Sequence, residues 1–273
     1  MASVPSTVER VELDGRPVWV KRYGSGSRVA RLRVMDWVAR RLGIEALRPP
    51  PHRDAAAAKQ VERTRLAALA AAGVRVPDVV GEGESLLILS DLGETLSSRL
   101  RSEPAPQAQA LVADAARALA AAHAAGAYLG QPVARNLTID AQGRIGFLDF
   151  EEDPREVMSL HAAQTRDWLL FASGVVRHVP GGAEALASSI GAALREESDA
   201  VRAGVSAATG RLAFVDAATR WLGRRAGGLG AAVRGLQRAL HALPGPLLLC
   251  ALCVDWLHDG DIEALQFLMQ LVD

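Results

Sequence analysis

Apolar and polar residues alternate over about the first 25 positions and again between positions 78 and 90, and such alternation predicts β-strands. Val8–Leu13 and Pro17–Tyr23 flank Asp14-Gly15, a dipeptide typical of a two-residue hairpin turn. Two further strands are predicted at 78–80 and 85–90. These four segments predict a small antiparallel sheet near the start of the chain.

Apolar residues recur every three or four positions in the rest of the chain, which predicts helices. In Arg28–Leu42 the residues Val34, Trp37, Val38 and Leu42 share one face. Ala55–Ala72 follows and ends at Gly73, a typical helix C-cap. Further on we predict a long helix at 106–125, a hairpin at 137–150, and helices at about 163–178, 183–206, 210–225, 229–242, 246–258 and 261–272.

This order of elements predicts an α+β protein with two parts. Asp91-Leu92-Gly93 interrupts the pattern after the last predicted strand of the sheet. We therefore expect a β-rich N-terminal part over residues 1–92 and a mainly helical part over residues 93–273, the latter including the hairpin.

Composition and charge indicate which partners and which cellular compartment to expect. The 273 residues contain 31 basic and 31 acidic side chains, so overall charge does not favour nucleic acid as a partner. The first ten residues lack an apolar core, and the apolar run before Asp255 is shorter than the roughly 20 residues that span a bilayer. We expect a cytoplasmic protein, with attachment to the inner face of the membrane left open.

The two cysteines have the spacing of a Cys-x-x-Cys pair. Cys250 and Cys253 lie in an apolar run, and no second pair or histidine cluster accompanies them. Packing in the core is the simpler interpretation, and a redox pair is the alternative.

Lys21 and Glu62 are the first candidate functional residues. Lys21, one of only two lysines in an arginine-rich chain, follows the alternating run Val18-Trp19-Val20. A strand lysine of this kind can hold nucleotide phosphates, although it can also be an ordinary surface residue. Glu62 shares a helix face with Leu66 and Leu69, and an inward-facing carboxylate needs a partner, for which Lys21 is the obvious candidate.

Asn136 and Asp149 are the second pair of candidates. Asn136 precedes the predicted hairpin, and Asp149 lies in the run Ile145–Glu151 at its other end. Their side chains can therefore converge, and an amide oxygen beside a carboxylate suits a hard cation such as Mg²⁺.

In this order, these segments resemble the protein-kinase-like superfamily, and more narrowly the bacterial lipopolysaccharide core kinases that act on Kdo or heptose, with their small atypical relatives. The likeness covers about residues 10–175. It rests on five segments of the chain: Val18–Lys21, Glu62, Gly73–Pro77, Leu119–Gly126 and Ile145–Glu151.

The resemblance implies a bilobal kinase-like fold with ATP and Mg²⁺ as cofactors. It implies that Lys21 binds phosphate and pairs with Glu62, and that Asn136 and Asp149 hold magnesium. It also implies that the backbone at Ser90, Asp91 and Leu92 meets the adenine, and that Asp167 braces the catalytic loop.

Two departures from the family pattern affect the expected activity. Gln131 occupies the usual position of the catalytic aspartate, and glutamine cannot accept a proton as a general base. Arg135, Glu151, Glu152 or Asp153 could compensate. The glycine-rich phosphate loop is also missing, unless Gly24–Ser27 replaces it.

The segment from Lys21 to Arg53 is strongly basic, with nine Lys and Arg residues against Asp36 and Glu45. A basic amphipathic helix over Arg28–Leu42, carrying Trp37, suits an anionic membrane surface or an anionic glycolipid. A solvated basic face is the other interpretation.

Taken together, the residues and the resemblance predict an ATP-dependent phosphotransferase. Its acceptor would be a hydroxyl group, expected on an envelope glycolipid or sugar. Two alternatives remain: a pseudokinase that binds nucleotide as a scaffold or sensor, which Gln131 favours, and an atypical Ser/Thr protein kinase.

Overall fold

The computed structural model describes residues 6–24, 29–51, 53–219 and 224–241, and the protein is α+β. Its strands are β1 Thr7–Leu13, β2 Arg16–Arg22, β3 Val79–Glu82, β4 Leu86–Ser90, β5 Glu94–Thr95, β6 Leu137–Ile139 and β7 Ile145–Phe147. Its helices are α1 Val29–Leu42, α2 Ala55–Ala71, α3 Leu96–Ser102, α4 Ala105–Ala124, α5 Leu160–Val175, α6 Gly182–Arg195, α7 Asp199–Thr219 and α8 Arg224–His241.

A four-stranded antiparallel sheet with the order β1-β2-β4-β3 forms the N-terminal part. Asp14 and Gly15 both have positive φ, as a two-residue hairpin turn requires, and they join β1 to β2. The alternation in β2 buries Val18 and Val20 on one face and places Trp19 and Lys21 on the other, where both line a cavity. The four predicted strands are confirmed, with bounds shifted by one or two residues.

Helix α2 packs beside this sheet. Asp54 caps its first turn by accepting a hydrogen bond from Ala57 N at 2.8 Å. The chain leaves the helix at Gly73, whose φ of +77° is unfavourable for residues with a side chain. Glu62, Leu66 and Leu69 are buried on one face, as the spacing predicted.

A second, three-stranded sheet follows, in the order β5-β6-β7. The hairpin of β6 and β7 was predicted, but β7 ends at Phe147 rather than at Phe150. Strand β5 and helix α3 were not predicted. Thr95 caps α3 by accepting from Ser98 N, and Leu96 and Leu100 attach the helix to the core.

Helices α4 to α8 pack around a core rich in alanine and leucine. The helices predicted at 106–125 and at about 163–178 are confirmed as α4 and α5. The predicted helix at 183–206 is wrong, because α6 ends at Arg195 and α7 begins at Asp199. The predicted helix at 210–225 is wrong as well, since α7 continues from Asp199 to Thr219. The apolar periodicity did not reveal the break between α6 and α7, because alanine occurs on both the buried and the exposed faces of helices.

Helix α1 forms as predicted, but Trp37 does not pack on an apolar face: it is 66% exposed. The helices predicted at 246–258 and 261–272, with Cys250 and Cys253, lie outside the described residues, as does most of Gly24–Ser27. In the part of the chain that the structure describes, no helix combines the length and the apolarity needed to cross a membrane.

Candidate functional site

Lys21 lies at the centre of the candidate site, at the end of β2. Its Nζ is 2.7 Å from Glu62 Oε2, 2.7 Å from Asp149 Oδ1 and 3.4 Å from Glu151 Oε2. Glu62 from α2, the predicted partner, and Asp149 from the segment after β7 therefore both contact the ammonium group. One cation facing three carboxylates leaves the cluster with an excess of negative charge.

Glu62 is held by three donors. Besides Lys21, the hydroxyl of Tyr23 donates to Oε2 at 2.6 Å, and Phe150 N donates to Oε1 at 3.3 Å. Such bonds compensate a carboxylate that is almost completely buried. Glu62 therefore joins α2 to β2 and to the segment after β7.

Burial and charge act in opposite directions on Lys21. Burial alone lowers the pKa of its amine, but the carboxylates of Glu62, Asp149 and Glu151 outweigh burial and raise that pKa. Burial and the neighbouring Glu62 likewise raise the pKa of Tyr23. Lys21 is therefore charged and Tyr23 neutral at physiological pH.

Asp149 has a φ of +71°, in the left-handed region that few residues other than glycine occupy. Such a conformation persists only where its surroundings stabilise it, and it is frequent at functional sites. Here it directs Oδ1 towards Lys21 and Oδ2 towards Asn136, whose Nδ2 is 3.4 Å away.

Asn136 lies directly before β6 and is buried. Its Nδ2 donates to the main-chain oxygen of Gln131 at 3.0 Å, a shorter contact than the one to Asp149. No described residue donates to Asn136 Oδ1. This amide oxygen and Asp149 Oδ2 are thus the polar atoms of the pair with capacity to bind something else.

A cavity of about 380 Å³ opens beside this cluster, between the two sheets. Lys21, Glu62, Asn136 and Asp149 line it together with Ser90, Asp91 and Leu92, so seven of the predicted site residues surround one space. Trp19, Leu89 and Leu148 supply apolar walls. Polar anchors at one side of an apolar cavity are the usual features of a small-molecule site.

Thr138 is among the residues that line this cavity. Its side chain is buried, and its Oγ1 has no hydrogen-bond partner, which among the described buried side-chain atoms is otherwise true only of Arg53 Nε. An unpaired buried hydroxyl costs free energy. This oxygen lies within the protein beside the cavity rather than on the cavity surface.

Glu62, Asp149 and Glu151 each offer a carboxylate oxygen, and these oxygens lie within 4.8 Å of one another. Oxygen ligands of this kind suit Mg²⁺. Lys21 contacts one oxygen of each group, and Phe150 N occupies Glu62 Oε1. The oxygens that remain for a cation are therefore Asp149 Oδ2, the second carboxylate oxygen of Glu151, and Asn136 Oδ1.

Gln131 does not line the cavity. Its Nε2 donates to Glu152 Oε2 at 2.9 Å, while its main-chain oxygen holds Asn136. Burial raises the pKa of Glu152, and the nearby Arg166 opposes that rise. Of the other residues considered as compensation, Arg135 is exposed and Asp153 is bonded to the Tyr128 hydroxyl.

Arg65 connects α2 to the loop that contains Gln131. Its guanidinium donates to the carbonyl oxygens of Tyr128, Leu129 and Glu152 at 2.6, 3.2 and 3.0 Å. It also lies over the Tyr128 ring, with its Cζ 4.4 Å from the centroid. Helix α2 is therefore attached to this loop by a buried cation as well as to β2 by Glu62.

Asp167 braces the same loop from α5. Its carboxylate accepts from Leu129 N and Gly130 N, both at 2.6 Å, and it lies 3.2 Å from His123 Nε2. On the other side of the ring, His123 Nδ1 is 2.6 Å from Glu197 Oε1, which also accepts from Trp168 Nε1. Burial lowers the pKa of His123, but the two carboxylates outweigh it and raise the pKa to about 9.

Sequence reasoning missed Tyr23, Arg65, Thr138 and Glu197. Arg65 carried a weak signal, since it follows Glu62 by three positions and so lies on a neighbouring part of the helix surface. The other residues carried none, because their roles depend on contacts between distant segments.

No family model matches the chain, and a search of curated proteins finds no match.

Proposed function

We propose that this protein is an ATP-dependent phosphotransferase that acts on a hydroxyl group. The observation that carries the proposal is the Lys21 ammonium, held between Glu62 and Asp149 at 2.7 Å each at the edge of a cavity of about 380 Å³. A buried lysine positioned by a helix glutamate is the arrangement that kinases use to hold nucleotide phosphates.

In this proposal the nucleotide occupies the cavity with its base between Trp19, Leu89 and Leu148, near the main chain of Ser90 to Leu92. Its phosphates extend towards Lys21. A β-sheet part, a connecting segment at residues 91–93 and a helical part agree with the bilobal kinase fold that the sequence resembles.

Asn136 and Asp149 are the residues that would hold a magnesium ion. The ion would offset the phosphate charge, which the carboxylates around Lys21 otherwise repel. The left-handed backbone at Asp149 serves this role by presenting one oxygen to Lys21 and the other towards Asn136.

The proposal is tested by Asp149→Ala. The variant loses the carboxylate that faces the phosphates, so we expect turnover of Mg-ATP to fall by about 10³-fold, the effect of a few kcal/mol of lost charge stabilisation. The measurement is release of radiolabelled phosphate, and exposed Asp199→Asn is the control. Equal turnover in Asp149→Ala and wild type would reject the proposal.

A catalytically impaired pseudokinase is the second candidate, and Gln131 is the observation that favours it. Thermal shift with Mg-ATP distinguishes binding from its absence, and phosphate release distinguishes an enzyme from a scaffold. Binding without release in the wild type would favour the scaffold.

The acceptor that we propose is an anionic glycolipid at a membrane surface. Trp37 is 66% exposed, and Arg40 and Arg41 are exposed at the end of the same helix. An exposed aromatic beside cations suits the headgroup region of an anionic bilayer. We expect wild-type protein to sediment with vesicles containing phosphatidylglycerol, and Trp37→Ala to reduce that binding several-fold. Exposed Val79→Ala is the control, and equal binding of Trp37→Ala would contradict the idea.

A further inference from the structure

We infer that Glu151 is a third cation-binding residue of the site, and that the protein binds a divalent cation through Asn136, Asp149 and Glu151 before any nucleotide is present. The inference deepens the proposed function, because it rests on the magnesium site assigned there to Asn136 and Asp149. The geometry that supports it is the set of oxygens that the contacts around Lys21 leave without a partner.

The amide of Asn136 presents an unpaired acceptor to the cavity. Its side chain is buried, and Nδ2 donates to the main-chain oxygen of Gln131 at 3.0 Å. A carbonyl oxygen only accepts hydrogen bonds, so Nδ2 is the branch of the amide that faces Gln131, and Oδ1 is the branch left over. Oδ1 has no partner among the described residues, yet it is not one of the unpaired atoms that the protein encloses, which are Arg53 Nε and Thr138 Oγ1. Because Asn136 lines the cavity, a ligand there can reach this oxygen.

Two carboxylates beside this amide each keep one oxygen. Asp149 contacts Lys21 through Oδ1 at 2.7 Å, and its Oδ2 has only the 3.4 Å contact with Asn136 Nδ2. Glu151 contacts Lys21 through Oε2 at 3.4 Å, and no described residue donates to its Oε1. Both residues line the cavity, and their carboxylate oxygens lie within 4.8 Å of each other. Since bonds from Mg²⁺ or Ca²⁺ to such oxygens are about 2.0–2.6 Å long, one ion can bind both groups.

Glu62 belongs to the same carboxylate cluster but has no oxygen to offer. Its Oε1 accepts from Phe150 N at 3.3 Å, and its Oε2 accepts from Tyr23 at 2.6 Å and contacts Lys21 at 2.7 Å. The side chain is also almost completely buried. Glu62 therefore positions the ammonium group, and the other two carboxylates remain for a cation in the cavity.

The charge of the cluster favours a cation even without nucleotide. Three carboxylates face the single ammonium of Lys21, and attraction between opposite charges at a partly buried site is several times stronger than in bulk water. Without Glu151 the excess of negative charge would be half as large, and an ion would depend more on phosphate oxygens. Glu151 also loses little by turning to an ion, because its contact is the longest of the three that the ammonium makes.

The test measures Mn²⁺ binding to the full-length protein without nucleotide. Mn²⁺ prefers the same oxygen ligands as Mg²⁺, and the electron paramagnetic resonance signal of free Mn²⁺ decreases when the ion binds. We expect wild-type protein to bind Mn²⁺ and excess Mg²⁺ to release it. Glu151→Gln preserves the size of the side chain but removes its charge, so the affinity should fall by at least about tenfold, since even residues that only orient metal ligands contribute about 10–100-fold. Glu196→Gln, which changes an exposed acid at the end of α6, is the matched control and should bind as the wild type does.

A conservative variant separates metal binding from a structural role. Glu151→Asp keeps the carboxylate on a shorter side chain, so it should bind Mn²⁺ more tightly than Glu151→Gln does. If Glu151 served only to hold Lys21, both variants would change the urea midpoint and leave Mn²⁺ affinity at the wild-type value. The same unfolding curves show that each variant is folded.

Two results would overturn the inference and leave the proposed function standing. One is a wild-type protein that releases phosphate from Mg-ATP but binds no Mn²⁺ without nucleotide, and the other is wild-type Mn²⁺ affinity in Glu151→Gln. Mn²⁺ binding that Asp149→Asn leaves unchanged would place the ion elsewhere and contradict the inference as well. Mn²⁺ binding that depends on Glu151, in a protein that releases no phosphate, would support the inference and reject the proposed function alone.

Discussion

Two clusters among the described residues place carboxylates around one nitrogen cation, and they differ in their exposure. Around His123, the side chains of Asp167 and Glu197 are at most 3% exposed. Around Lys21, Asp149 is 31% and Glu151 24% exposed, and both border the cavity. In the histidine cluster the carboxylate oxygens are bonded within the fold, whereas the lysine cluster leaves carboxylate oxygens available to a ligand.

This difference distinguishes a structural network from a binding site built of the same chemistry. Both oxygens of Asp167 accept hydrogen bonds within the fold, from the main chain at Leu129 and Gly130 and from His123. In Asp149, by contrast, one oxygen contacts Lys21 and the other has only a 3.4 Å contact with Asn136. A closed network stabilises, and an open one can exchange partners with a ligand.

The largest expected effect comes from opening the closed cluster. Asp167→Ala leaves His123 without one counter-charge and two buried amides without their acceptor, so we expect the free energy of unfolding to fall by about 3–5 kcal/mol. Asp149→Asn is the matched variant in the open cluster, since asparagine tolerates the left-handed backbone at this position, and it should cost under about 1 kcal/mol. Urea unfolding measures both. Similar losses in the two variants would abolish the distinction.

The second effect uses pH, because His123 is held as a cation in the fold. Its pKa of about 9 lies above the ordinary 6.5 of the unfolded chain. The resulting stability is fully present below about pH 6.5 and is lost as the pH rises through about 9, by about 3 kcal/mol in total. We expect urea midpoints to fall over this range, and His123→Gln to remove most of the decline. A wild-type midpoint that stays constant from pH 6.5 to 9.5 would show that the histidine is neutral.

The smallest effect concerns the unpaired hydroxyl of Thr138 beside the cavity. Thr138→Val removes a buried oxygen that has no partner, so we expect a gain of about 1 kcal/mol in unfolding free energy, measured by urea unfolding. Thr209→Val is the control, since the Thr209 hydroxyl donates to Val205 O at 2.8 Å and its removal should not stabilise. A destabilised Thr138→Val would show that the hydroxyl has a partner in the folded protein.

The sequence predicted the open cluster better than the closed one. Lys21, Asn136 and Asp149 stand at or beside the ends of strands, and Glu62 lies on the inward face of α2. Clear periodicity located these elements, and the chemistry of the four side chains singled them out. Glu197 did not stand out, because it is 74 residues from His123 and lies where the break between α6 and α7 was not predicted. Alanine-rich helices carry little information about their ends or partners, so contacts that depend on tertiary packing stayed out of reach.

The buried guanidinium of Arg65 has a consequence for control of the protein. For α2 to swing away from β2, the Glu62 ion pair and three hydrogen bonds from Arg65 to the loop and to Glu152 would have to break together. We therefore expect this helix to stay docked whether or not nucleotide is bound. If the protein is the proposed phosphotransferase, its Lys21–Glu62 pair would then be assembled before the nucleotide binds.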